Sequence, residues 1–282
     1  MKIILSLFIS LIFVPLNAQT GTEIYLADLK ISKTGITLSN PKNITNRKGY
    51  DNQPFFHPDK PIIYFSSFNA EGRSEIKAFD FKSKTTSQFT QTQEREYSPT
   101  VTPDKRFISC IIQRDNGGQD LGKFPKEGGS ATILIDNLIV GYHAWISPSE
   151  IVVFVLGEPN TLRVYDLVAR TDTIVAQNIG RAIHKIPRQE KISFVDKNSE
   201  PWTIKSFRDA KIENIAPTLP AREDLAWTPD GKIIMSDGRQ FFDYDTKQNG
   251  KWHMFFSSEL KGVTRMAVSA NGKKIAFVVA EE

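Results

Sequence analysis

One unit recurs along this chain: an apolar segment, a tight polar turn, then a second apolar segment. The copies are Pro54–Phe65, Pro99–Ile108, Ala144–Phe154, Leu225–Ile234 and Met266–Phe277, with a weaker one at Ile183–Phe194. Their turn residues, Pro58, Pro103, Pro148, Pro187, Pro229 and Ala270, lie 45, 45, 39, 42 and 41 residues apart. A period of this length means that each copy is one supersecondary unit, buried only by stacking on its neighbours. Turn chemistry makes each unit a β-hairpin. Proline presets φ, and the Asp, Asn or Gly that follows tolerates the left-handed conformations a tight turn requires. The flanks are β-branched and aromatic, as strands prefer.

A second motif follows the hairpins: Ile76-Lys-Ala-Phe-Asp80, Leu162-Arg-Val-Tyr-Asp166 and Phe241-Phe-Asp-Tyr-Asp245, with degraded versions at Leu121–Pro125 and Thr203–Phe207. A fourth short strand comes next, so each repeat predicts four antiparallel strands. The sixth hairpin, Val263 to Val279, runs out of chain after two. The missing pair stands at the other end, where Ile24-Tyr-Leu-Ala-Asp28 carries the third-strand motif and Gly35–Ile44 supplies a fourth strand. Pairing the two ends closes a ring and removes open sheet edges. The sequence therefore predicts an all-β, six-bladed β-propeller over residues 19–282, with its last blade shared between the termini.

The first eighteen residues read as an address. Lys2 precedes an apolar run from Ile3 to Val14, and Pro15-Leu16-Asn17-Ala18 leads into polar Gln19 and Thr20. This order predicts a secretory signal peptide cut after Ala18. The run is shorter than the ~20 residues that span a bilayer, so no transmembrane segment is expected after cleavage. The protein is expected in the periplasm or outside the cell, as a monomer. Lys and Arg total 36 against 32 Asp and Glu, too even a balance to imply a nucleic-acid partner. The single cysteine, Cys110, lies in the apolar run Phe107–Ile112 and reads as a buried hydrophobe.

The hairpins, the signal peptide and the sixfold repeat together resemble the TolB-like propellers of bacterial envelopes. The likeness covers the chain after the signal. It departs from true WD repeats, having no Gly-His start and no Trp-Asp strand end. Arg95–Pro99, Gly141–Trp145, Leu156–Pro159 and Ala226–Gly231 resemble a subgroup of exported propellers from Bacteroidetes-type bacteria. The resemblance implies the fold and names no activity.

In a propeller the first strand of each blade lines the central channel, and the segment entering it forms one mouth. Counting back from each turn gives two polar sets. Six places before stand Asn52, Tyr97, Tyr142, Arg181, Glu223 and Thr264; five places before stand Gln53, Ser98, His143, Ala182, Asp224 and Arg265. The residues four places before, Ala144 among them, are apolar and read as packing. A mixed-charge ring at an apolar boundary has the character of a binding site. Asn52, Tyr97, Tyr142, His143, Arg181, Glu223, Asp224 and Arg265 are therefore the expected contacts for a protein or small-ligand partner.

Catalytic signals are thin. His57, His143, His184 and His253 show no metal-ligand spacing, and no cysteine cluster supports zinc. No cofactor or metal is expected. His57 falls at a hairpin position occupied elsewhere by Thr102, Ser147, Thr228 and Ser269, and reads as structural. Glu223 and Asp224 are adjacent and should point to opposite faces of a strand; Glu94 and Glu96 read as solvated. Asp115–Asp120 reads as a plain hairpin turn. The leading reading is a non-enzymatic binding module. The alternative is an extracytoplasmic hydrolase or lyase on glycans or peptides, using His143, His184 and an acid if these converge.

Overall fold

The computed structural model describes residues 21–32, 34–248 and 250–281. The signal-peptide reading of residues 1–18 lies outside them. Twenty-four strands form six four-stranded antiparallel sheets, and no helix occurs among the described residues. In chain order, blade 1 is β3 (Asp51–Phe56) to β6 (Thr85–Gln88). Blade 2 is β7 (Arg95–Val101) to β10 (Thr132–Ile135). Blade 3 is β11 (Val140–Trp145) to β14 (Thr171–Gln177), and blade 4 is β15 (His184–Lys185) to β18 (Lys211–Pro217). Blade 5 is β19 (Leu225–Trp227) to β22 (His253–Ser257). Blade 6 joins β23 (Thr264–Val268) and β24 (Lys274–Ala280) to β1 (Thr22–Ser32) and β2 (Gly35–Asn43). The expected closure is present: Ile24 pairs with Val278, Ala27 with Ile275 and Asp28 with Lys274.

The turns are built as their residues require. Thr102 Oγ1 donates to Asp104 at 2.6 Å, and Thr228 Oγ1 to Asp230 at 2.6 Å, while each hydroxyl also accepts a backbone N–H. His57 does the same work with Nδ1, which accepts from the Asp59 and Lys60 amides. Its structural reading holds. Gly231 and Gly272 supply the positive φ these turns demand, and Lys105 adopts φ 59° in the corresponding turn of blade 2. Blade 4, the weakest repeat in sequence, has an inner strand of only two residues.

The core is six clusters, each between adjacent blades. Ile111 and Leu121 of blade 2 meet Val153 and Tyr165 of blade 3, for example, and Ile24 meets Ile63 and Phe65 across the closed seam. Polar ties reinforce two of these seams. Trp145 Nε1 donates to Ser109 Oγ of the preceding blade at 2.9 Å, and Trp227 Nε1 to Ser193 Oγ at 2.8 Å. Cys110 is fully buried in the seam between blades 1 and 2, and burial pushes its thiol pKa well up. The Asp115–Gly118 segment is the hairpin turn joining β8 (Phe107–Gln113) to β9 (Gln119–Pro125).

Candidate functional site

The strand registers give the true correspondence between blades. Phe56, Val101, Trp145, Lys185, Trp227 and Val268 face matching positions on their second strands. Three residues earlier stand Gln53, Ser98, Tyr142, Ala182, Asp224 and Arg265. This corrects the count from the turn prolines for blade 3. The turns Ile146–Glu150 and Thr228–Lys232 are equally long, but Pro148 comes one residue later in its turn than Pro229 does. Counting back from Pro148 therefore misplaces blade 3 by one. Tyr142, not His143, joins Asp224 and Arg265 at the mouth. His143 takes the packing position of Pro54, Pro99, Ile183, Leu225 and Met266, and it is buried.

Strand bulges position the mouth side chains. Pairing shifts register between Asn52 and Phe55, between Tyr97 and Thr100, and between Thr264 and Met266. Within these breaks Gln53, Ser98 and Arg265 adopt φ of 58°, 55° and 23°. A bulge of this kind re-aims a side chain while the flanking strand stays paired, and here all three residues line the channel.

The channel holds a cavity of about 680 Å³. Five of the eight expected residues line it: Tyr142, His143, Arg181, Asp224 and Arg265. The other three stand behind the wall. Asn52 is buried and donates to Thr22 Oγ1. Tyr97 packs edge-on against Tyr50, ring centroids 6.4 Å apart. Glu223 accepts the Arg181 backbone N–H and pairs with Lys197 at 2.8 Å.

The charges inside are specifically paired. Arg181 donates Nε and Nη2 to the two oxygens of Asp224 at 2.9 and 2.6 Å. Burial alone would raise the Asp224 pKa, but this fork and the nearby Arg265 outweigh it and hold the carboxyl below its ordinary range. Arg265 differs: its Nη2 donates to the Tyr142 hydroxyl at 2.7 Å, and its guanidinium lies 5.0 Å from that ring's centroid. Blades 3 and 6 are three steps apart in a ring of six, so this contact spans the mouth. At the other end Lys185, where other blades place Trp, Phe or Val, donates to the Ile146 carbonyl and to Glu190.

The histidines are engaged singly. His143 Nε2 lies 2.8 Å from Ser109 Oγ, and burial depresses its pKa to about 3. His184 lines the same cavity, and burial lowers its pKa to about 4. Neither is bonded to an acid. Among the described residues no group of three or more His, Cys, Asp or Glu is placed to hold a metal.

Sequence reasoning missed Tyr50 and the seam pair Ser109–Trp145. Tyr50 is buried close to Arg265, Tyr142 and Tyr97, and its burial pushes the phenol pKa up. Only its place, just ahead of β3, could have flagged it. Reasoning also misjudged Glu96. It is fully buried, with Thr92 Oγ1 at 2.5 Å and Thr90 Oγ1 at 3.2 Å, and hydrogen-bonds the Glu75 carboxyl.

No family model matches this chain, and no curated protein does. Solved structures do. A protein assigned as TolB from Agrobacterium tumefaciens superposes with a TM-score of 0.70 at 14% identity, over 93% of this chain and 99% of that one. The fold is a TolB-like six-bladed propeller. TolB from Acinetobacter baumannii matches with a TM-score of 0.57 at 14% identity, over 92% of this chain and 64% of its own. An oligogalacturonate lyase in complex with manganese matches at 0.61 and 13%, over 88% and 83%. TolB structures and a lyase thus share this architecture, and the fold alone does not assign a function.

Proposed function

We propose that this protein is an exported propeller, of the Bacteroidetes-type TolB-like subgroup, that acts without catalysis. It binds a small ligand or the tip of a partner protein at the channel mouth. The charge and apolar run at Lys2–Val14 support export to the periplasm or beyond. One observation carries the binding reading: a channel cavity of about 680 Å³ whose mouth is crossed by Arg265 and Tyr142 from opposite blades. Small-molecule sites have this size and this mixture of apolar wall and few polar groups.

The shared fold of the oligogalacturonate lyase keeps an enzyme acting on glycans or peptides as the second reading. The engaged state of the polar groups favours binding. Asp224 is occupied by Arg181 and His143 by Ser109, and neither histidine of the cavity is hydrogen-bonded to a carboxylate among the described residues, so no acid–base pair stands ready.

The test is retention from an extract of the native cell envelope. Immobilised wild-type protein is compared with the Arg265→Ala/His143→Ala double variant, and retained species are read by mass spectrometry. A species held by the wild type and lost by the variant is expected. Identical retention by both removes the channel mouth as the site.

A further inference from the structure

We propose that the channel binds a small organic monocarboxylate, its carboxylate on Arg265, its apolar body against the channel wall, and a hydroxyl or amide N–H on His143 Nδ1. The inference rests on the reading of the channel as a binding site and names the chemistry of its ligand.

Charge complementarity comes first. Arg181 is matched by Asp224, Lys197 by Glu223 and Lys185 by Glu190. Arg265 is the cavity-lining cation left over: among the described residues no carboxylate reaches it within ion-pair distance. Among the described residues its guanidinium makes a single hydrogen bond, to the neutral hydroxyl of Tyr142. Four of its five N–H donors therefore make no protein bond, and a planar fork of that kind matches a carboxylate two-prongedly. The bulge at φ 23° holds the residue at the mouth. One unmatched cation calls for a monoanion, not a polyphosphate.

The second observation is independent. His143 is 93% buried (7% exposed), lines the cavity, and leaves Nδ1 without a partner. Its tautomer follows from Ser109. That hydroxyl lies 3.1 Å from the Thr100 carbonyl, takes the Trp145 indole N–H, and sits 2.8 Å from His143 Nε2. All three contacts are satisfied together when Ser109 donates to Thr100 and His143 Nε2 carries the proton. Nδ1 is then a bare acceptor with almost no surface of its own open to the channel; leaving it unpaired is costly, and a small movement of the wall would let a ligand donor complete it. The wall between the two groups is apolar, with Pro99, Trp145, Leu225 and Met266 on it. Entry of the ligand exchanges a neutral partner of Arg265, the Tyr142 hydroxyl, for an anionic one.

Three matched probes test this: 4-hydroxyphenylacetate, its neutral amide 4-hydroxyphenylacetamide, and phenylacetate. Each is titrated into the protein by calorimetry and tryptophan fluorescence. The hydroxy acid should bind at least about tenfold more tightly than its amide, as a charge-assisted carboxylate bond implies. Arg265→Gln should erase that difference. Phenylacetate should bind several-fold more weakly than the hydroxy acid, and that gap should close in His143→Leu. If Arg265→Gln fails to fold by circular dichroism, Arg265→Lys replaces it: charge without the fork should weaken the acid and keep some preference over the amide. Equal binding of acid and amide to the wild type overturns the carboxylate assignment and leaves the channel as a binding site. No binding of any probe at millimolar concentration also overturns it, while retention from the envelope extract judges the broader reading separately.

Discussion

Glu96 offers a sharp test of the packing between blades 1 and 2. It is fully buried, and Glu75, itself 2% exposed, lies against it with a hydrogen bond between the carboxyls. Burial is the main cause, and the neighbouring Glu75 adds to it, of a Glu96 pKa pushed up to about 8. The unfolded chain releases that proton near pH 4.5. Between pH 4.5 and about 8 the native state therefore holds a proton that the unfolded state has lost, and stability falls as pH rises through this window. Each unit of difference is worth ~1.4 kcal/mol, so the full span costs at most ~5 kcal/mol. Glu96→Gln keeps the shape and a donor toward Glu75 while removing the titration. Its advantage over the wild type should be near zero at pH 4.5 and reach several kcal/mol at pH 8.5. For a chain of this size that is on the order of 10 °C in Tm. Thermal unfolding followed by circular dichroism across that range reads it directly, and comparing the two proteins at each pH cancels the titrating groups remote from the pair, so that the difference reports Glu96 together with its partner Glu75. A Tm difference that stays constant from pH 4.5 to 8.5 refutes the reasoning, because Glu96 would then ionise no differently in the folded protein.

Two further outcomes follow from the same geometry. His143→Leu places an aliphatic residue in the packing position that Ile183 and Leu225 hold in other blades. Because the folded His143 stays neutral down to about pH 3, stability present above about pH 6.5 drains away as the unfolded chain takes up the proton. The variant should lose less Tm than the wild type between pH 6.5 and 4, and equal losses would contradict the burial assigned to this imidazole. Ring closure is tested by Thr22→Cys/Ala280→Cys, since these residues are direct partners across the seam and Cys110 is buried out of reach. Oxidation should give an intramolecular crosslink, seen as a gel-mobility change reversed by reductant, and raise Tm; failure to crosslink in the folded protein would mean that the ends do not pair as described.

Much of this architecture was legible in the sequence because turns are chemically local. The hydroxyls of Thr102, Thr228 and Ser269, and the imidazole of His57, each fasten one hairpin through contacts within a few residues. Such contacts leave a fixed spacing that can be counted. The half-blade at each end is the same signal read twice. What could not be counted was register. Pro148 sits one residue later in its turn than Pro229, and that single step carried His143 from the packing position to an apparent place at the mouth. Glu96 misled for a related reason. Its neighbours Glu75 and Thr90 come from the preceding blade, so nothing within its own strand marks it as buried.

The same comparison shows where function should be sought. At the hairpin turn four blades use interchangeable hydrogen-bonding groups, His57, Thr102, Thr228 and Ser269, as a position that serves folding must. At the matching position facing the channel the six blades hold Gln53, Ser98, Tyr142, Ala182, Asp224 and Arg265, no two alike in chemistry. A sixfold scaffold has no use in folding for such divergence, because these side chains face the channel and take no part in the hairpin turns. The divergence makes sense only if the mouth answers to something without sixfold symmetry. Arg265 and Tyr142, 123 residues apart and on opposite blades, meet where that asymmetric object would have to enter.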